Sequence, residues 1–172
     1  MARKPVVTVT RRLPAHVERA LVGEFDARLN PQDHPPDGAS LTAALRDSDA
    51  ILCTVTDRLD AVTLASEPLR CRLLANFGVG VNHIDLAAAR ARGIAVTNTP
   101  GVLTDSTADL AMALMLAAAR RIGEGERLVR HGAWHGWAPT QMLGRMVSGR
   151  TLGIVGFGRI GRAVARRASA GF

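Results

Sequence analysis

Thr151-Leu152-Gly153-Ile154-Val155-Gly156-Phe157-Gly158-Arg159-Ile160-Gly161-Arg162 is the stretch that decides how this chain is read. An apolar run, Leu152 to Val155, leads into Gly156-x-Gly158-x-x-Gly161. Beyond it, Ile160, Ala163, Val164 and Ala168 recur at the spacing of one helix face. The order of strand, glycine turn and helix gives each glycine a separate task. Gly156 makes the tight turn, Gly158 lets backbone N–H groups approach a pyrophosphate, and Gly161 lets helix pack closely on strand. The helix N-terminus adds partial positive charge for the phosphates. The spacing alone is a weak signal, and the strand–turn–helix setting makes it specific. The chain ends at Phe172, one strand and one helix into this second fold.

Upstream, residues 122–150 are rich in glycine and polar residues and hold both tryptophans, Trp134 and Trp137. They read as a connection or dimer arm. Residues 104–121 read as a long helix, with Thr104, Asp105 and Ser106 offering N-cap side chains. Ala108 to Ala119 is apolar almost all round, Asp109 excepted, which predicts burial on every side. Such a helix runs between layers or domains, or forms the core of a single domain; the pattern leaves both open.

The first hundred residues alternate between short apolar runs and helical stretches. Strands are expected at 6–10, 25–29, 50–55, 72–76 and 94–97, with helices at 14–22, 41–46, 60–65 and 86–91. Gly93 is suited to a left-handed C-cap, and the proline-rich stretch 30–38 is a loop. Alternation with short links predicts an α/β fold, a doubly wound parallel sheet with helices on both faces.

Composition narrows the function classes. At 47% hydrophobic and 22% charged residues the chain is an ordinary globular sequence rather than a disordered one. Its net charge of +7 raises the question of nucleic acid. The arginines are scattered, however, and with no tyrosine and four phenylalanines there is no stacking platform. The reading is therefore a solvated basic surface and no nucleic-acid partner. Leu110 to Ala119 is too short to span a bilayer, so no membrane partner is expected. Met1-Ala2-Arg3-Lys4 leads into a strand, not a secretory h-region. Cys53 and Cys71 lie in apolar runs and read as reduced core thiols of a cytoplasmic protein, with no metal.

Three motifs then agree in order. Asn76-Phe77-Gly78-Val79-Gly80-Val81-Asn82-His83-Ile84-Asp85, Val96-Thr97-Asn98-Thr99-Pro100-Gly101-Val102-Leu103-Thr104-Asp105 and the 151–162 stretch together resemble the D-2-hydroxyacid dehydrogenases. Gly132-Ala133-Trp134-His135-Gly136-Trp137-Ala138-Pro139 resembles the glyoxylate/hydroxypyruvate reductase branch. The resemblance implies a flavodoxin-like substrate domain over 1–103, an interdomain helix and dimer arm over 104–150, and the start of a Rossmann nucleotide-binding domain over 151–172. It implies an enzyme nearly twice this long, a homodimer in full-length form, which reduces a small 2-keto acid with NAD or NADP as cofactor.

By the same resemblance, backbone N–H groups at Val79 and Gly80 hold the substrate carboxylate at an interdomain cleft. Consecutive amides in a glycine turn do form anion nests; the alternative is a tight turn that binds nothing. Gly156, Gly158, Arg159, Ile160 and Gly161 would cradle the cofactor pyrophosphate. Thr104 would face the nicotinamide, or serve only as an N-cap. Trp134 and Trp137 would reach a neighbouring subunit's site, or pack in the interior as tryptophans commonly do. His83 invites a proton-transfer role, but the family's catalytic histidine lies downstream of the fingerprint, so His83 reads as a packing or surface residue. The arginine, the histidine and the acidic residue of the chemistry have no matching position here, nor does the residue that tells NAD from NADP. No catalytic residue is assigned, and the chain by itself is expected to be inactive. The alternative is a non-catalytic remnant or a co-repressor-like binding module.

Overall fold

Runs of Val, Ile and Leu form the centre of the sheet in the computed structural model, which describes residues 3–171. The backbone divides into two compact units, Met1–Pro100 and Gly101–Phe172.

The first unit holds β1 (Val6–Val9), α1 (Ala15–Glu24), β2 (Asp26–Arg28), α2 (Gly38–Asp47), β3 (Ala50–Thr54), α3 (Ala61–Leu64), β4 (Leu73–Phe77), α4 (Leu86–Ala91) and β5 (Ala95–Thr97). The strands form one sheet in the order β2-β1-β3-β4-β5, and every pairing is parallel. This is the flavodoxin-like doubly wound order. Period-two alternation along β3 sends its side chains to two cores. Ile51 and Cys53 join Leu41, Leu45, Leu64 and Leu74 on one face. Ala50 and Leu52 face Val7, Val9 and Leu13, with Val17 and Leu21 of α1 packed against them. Each fully buried Leu or Ile contributes about 1.5–3 kcal/mol of transfer free energy.

Aspartates start three of these helices. Asp37 accepts from the Ser40 amide at 2.8 Å, Asp60 from Thr63 at 2.9 Å and Asp85 from Ala88 at 2.9 Å. Each carboxylate satisfies an amide that the helix itself leaves without a partner. Gly93 takes φ +66°, the left-handed cap expected after α4.

The second unit holds α5 (Thr104–Ala119), α6 (Ile122–Arg130) and α7 (Arg159–Gly171). Helices α5 and α7 pack through small residues, with Ala108 and Ala163 fully buried. Arg167 of α7 reaches Asp109 at 2.6 Å and Asp105 at 3.1 Å on α5. Gly144 sits where a Cβ would fall 2.7 Å from the Ala119 carbonyl, so the chain passes the end of α5 only as glycine.

Four expectations are corrected in this unit. Helix α6 occupies part of the expected connection. Its glycines Gly123 and Gly125, each costing about 1 kcal/mol against alanine, hide it from propensity. Ion pairs Arg121–Glu124 and Glu126–Arg130 support it. Residues 152–155 form no strand among the described residues, because a strand exists only with a ladder partner and none lies beside them. Helix α5 is not covered on every side: Leu110 is 59% and Leu114 61% exposed. Its all-round apolarity states what the helix can bury, and α7 covers one stripe only. Trp134 and Trp137 are exposed rather than packed inside, in a segment without regular elements.

Candidate functional site

All strands of the first unit run the same way, so their C-terminal ends share one edge of the sheet, where ligands of such folds bind. The order reverses at β1 and β3. There buried Asp57 ties the two strand ends together, accepting from Thr10 Oγ1 at 2.6 Å and from the Thr54 amide at 2.7 Å. Arg11 holds Asp33 at 2.8 Å beside it. The Arg11 guanidinium and the Arg12 amide lower the Asp33 carboxyl to about 2.

The Gly78-Val79-Gly80 turn follows β4 on the same edge. Val79 and Gly80 are exposed, and no acceptor for the amides of Val79, Gly80 or Val81 exists among the described residues. Their carbonyls are all engaged. Asn76 Nδ2 donates to Gly78 O at 3.1 Å and to Gly80 O at 2.9 Å, and Asn98 Nδ2 donates to Val79 O at 2.8 Å. The Thr99 amide adds a second bond to Gly78 O at 3.0 Å. A Cβ on Gly78 would lie 3.1 Å from Val55 Cγ1, so the turn is seated tightly against the residue that follows β3. Asn76 itself is only 2% exposed.

His83 completes this network. Its Nε2 lies 3.0 Å from Asn76 Oδ1. With both Asn76 N–H bonds committed to carbonyls, the oxygen can only accept, so His83 carries its proton on Nε2. Burial pushes the His83 pKa down, and the charge of Asp57 opposes that. His83 is half-buried and spends its Nε2 on Asn76 beside the turn. Sequence reasoning assigned no role to Asn76 or Asn98. An asparagine at the C-terminal end of each of two neighbouring strands, Asn76 within β4 and Asn98 just after β5, beside a glycine turn, was the available signal.

In the second unit the three fingerprint glycines separate as their tasks require. Gly156 takes φ +90°, a conformation that side chains rarely tolerate. Gly158 has nothing within 4 Å of where a Cβ would stand, leaving open space before α7. At Gly161 a Cβ would fall 2.3 Å from the Gly156 carbonyl and 3.4 Å from Ile154 Cγ2. Helix α7 begins at Arg159, so the amides of Arg159, Ile160 and Gly161 belong to its first turn, which has no intrahelical acceptors. Cradle and donors fit a pyrophosphate. Thr104 opens α5, but the N-cap is Leu103, without a side-chain cap bond. The turn at Gly101, φ +91°, places Leu103 in near-helical geometry, which corrects the N-cap expectation for residues 104–106.

Cys53 and Cys71 are both buried and unpaired. Burial raises the Cys53 thiol to about 12 and moves Cys71 the same way. Among the described residues no set of His, Cys, Asp and Glu is arranged to hold a metal ion. No described helix is long and apolar enough to cross a membrane.

Sheet order and glycine turn define the class as a doubly wound α/β protein. The chain belongs to the D-isomer specific 2-hydroxyacid dehydrogenase family, whose catalytic-domain profile matches residues 7–168. It is 48% identical to the glyoxylate reductase of Korarchaeum cryptofilum over 96% of its own length and 50% of that protein. It is 45% identical to that of Thermococcus litoralis, over 96% of this chain and 51% of the other. The chain therefore spans about half the length of the curated relatives it matches. Among solved structures, the NADPH-dependent glyoxylate/hydroxypyruvate reductase of Sinorhizobium meliloti, in complex with NADP and malonate, superposes with a TM-score of 0.79. That match has 36% identity and covers 97% of this chain and 50% of that one.

Proposed function

We propose that this chain supplies the carboxylate-binding turn and the pyrophosphate cradle of an NAD- or NADP-dependent reductase of small 2-keto acids, such as glyoxylate or hydroxypyruvate. The observation that carries the reading is the division of labour at Gly156, Gly158 and Gly161, which leaves open space directly before the first amides of α7. Family membership and reductase relatives support it.

The chain's own residues bind and orient. Val79 and Gly80 donate their amides to the substrate carboxylate, fixing which way the carbonyl carbon lies. Gly158, Arg159, Ile160 and Gly161 hold the cofactor phosphates, and Thr104 stands at the nicotinamide end. When bound, the reduced cofactor supplies the hydride. No residue of this chain is assigned to proton donation, and the part proposed for it in the reaction is positioning. The boundaries proposed for the whole protein are a substrate domain over 1–103, a connecting segment over 104–150 and a nucleotide domain from 151 onward. The uncovered leucines of α5 favour a homodimer. The two buried thiols fit a reducing cytoplasm.

Amide resonances test this directly. Titrating the 15N-labelled chain with NADPH is expected to shift Gly158 to Gly161, and glyoxylate is expected to shift Val79 and Gly80. Saturable shifts that avoid both turns overturn the assignment.

A further inference from the structure

We infer that Asn76 and Asn98 are the positioning residues of the anion-binding turn: together they hold three successive carbonyls so that the following amides face a ligand. The inference rests on the carboxylate reading of Val79 and Gly80 given above.

The peptide plane couples each carbonyl to the amide that follows it. In a trans peptide the C=O of one residue and the N–H of the next point in opposite directions, and the only cis bond among the described residues is Glu67–Pro68. Fixing Gly78 O therefore fixes the Val79 N–H on the far side. Fixing Val79 O does the same for Gly80, and fixing Gly80 O does the same for Val81. Asn76 takes the first and third of these carbonyls with its two N–H bonds, at 3.1 and 2.9 Å, and Asn98 takes the second at 2.8 Å. The following carbonyl, Val81 O, is held by the Ile84 amide at 3.0 Å. Every carbonyl of the turn is thus satisfied by the chain, while the amides of Val79, Gly80 and Val81 have no acceptor among the described residues.

This arrangement differs from a turn closed for its own sake. A self-sufficient turn pairs its amides as well as its carbonyls, because unpaired backbone donors are costly unless solvent or a ligand takes them. Here the donors are kept in reserve on an exposed face, and the side-chain amides of buried Asn76 and exposed Asn98 do the holding. His83 bonds the remaining atom of Asn76, its Oδ1, at 3.0 Å, which prevents the side chain from flipping and presenting oxygen to the carbonyls. Asparagine is suited to the task. It offers two donors on one nitrogen and an acceptor for the lock, whereas aspartate would set charged oxygens against Gly78 O and Gly80 O.

The test uses the intact 15N-labelled chain, with malonate and glyoxylate as probes and sodium chloride at matched ionic strength as control. In the unsubstituted protein both acids shift Val79, Gly80 and Val81 saturably. Asn98→Ala removes an exposed side chain, so the melting temperature and the Leu74 and Ala89 resonances stay in place while anion affinity falls about tenfold, the loss expected for one hydrogen bond. Asn76→Asp lowers affinity at least as far. If the buried charge prevents folding, Asn98→Ala alone decides. Unchanged affinity in the folded variants overturns the positioning role and leaves the carboxylate reading intact. No shift at Val79 to Val81 in the unsubstituted protein overturns both.

Discussion

Substituting the three fingerprint glycines one at a time by alanine separates the physical demands on this turn. At Gly161 the new methyl group would lie 2.3 Å from the Gly156 carbonyl oxygen and 3.3 Å from its carbon. Both are backbone atoms, so relief requires the start of α7 to move off the turn. Overpacking of this kind costs about 1–3 kcal/mol, and backbone against backbone belongs at the upper end. A domain of this size loses about 4–8 °C of melting temperature per kcal/mol, so Gly161→Ala lowers the melting of the second unit by roughly 10 °C or more. Gly156→Ala meets no atoms within 4 Å but must hold φ +90°, a strain of about 1–3 kcal/mol. Gly158→Ala meets neither obstacle and melts within about 4 °C of the unsubstituted protein, since a neutral surface change is worth at most ~0.5 kcal/mol. Its expected effect falls on cofactor: a methyl group in the space proposed for phosphate weakens NADPH binding about tenfold or more. Thermal denaturation followed by circular dichroism, paired with fluorescence titration of NADPH, reads both columns of the experiment. If Gly158→Ala destabilises as much as Gly161→Ala, or if Gly158→Ala binds NADPH undiminished, the separation of roles is wrong.

Three further outcomes are expected. Leu45→Ala empties a fully buried site facing Ile51 and Leu74 and costs about 2–5 kcal/mol in chemical denaturation, against near-neutral Val62→Ala on the exposed side of α3. The Arg11–Asp33 pair gives a pH dependence whose sign follows from the carboxyl lowered to about 2 from 3.8. Its stabilisation is complete above pH 3.8 and is lost as pH falls through about 2, so Asp33→Asn flattens the acid limb of a melting-temperature profile, by less at high salt because the pair is partly exposed. Cys53 and Cys71, buried and with thiols raised by that burial, stay unreactive to a thiol reagent in the native protein and react together on unfolding; fast native labelling contradicts the burial.

The first unit was largely legible because its signals are local and redundant. Helix 86–91 falls where the residues place it, and its stop at Gly93 follows from one backbone conformation. Strand edges move by one or two residues, since ladders and not composition end a strand. The second unit was less legible, and its misreadings share a cause. Val155 carries strand chemistry with no neighbouring strand to pair with, and Leu110 and Leu114 carry core chemistry with no layer over them. A pattern of apolar residues states a capacity to bury, and whether it is met depends on what else packs there. Helix α6 errs the other way: its glycines lower propensity, and the ion pairs that offset them show only once the helix exists.

The site divides along the same line. Glycines announce themselves because few other residues tolerate the φ +90° of Gly156 or the 2.3 Å approach at Gly161, so 156, 158 and 161 could be given separate tasks from their spacing and sequence setting together. Asn76 and Asn98 could not. An asparagine at a strand end is ordinary turn chemistry, and its meaning here depends on which three carbonyls its amide and that of Asn98 reach, twenty-odd residues apart in sequence and at the ends of adjacent strands. The amides of Val79 and Gly80 are sequence-blind donors that any residue carries. What the fold adds is direction, and direction is set by side chains on the opposite side of the peptide plane. On the proposed carboxylate reading, the residues that determine how well this turn holds its ligand are therefore ones the ligand never touches.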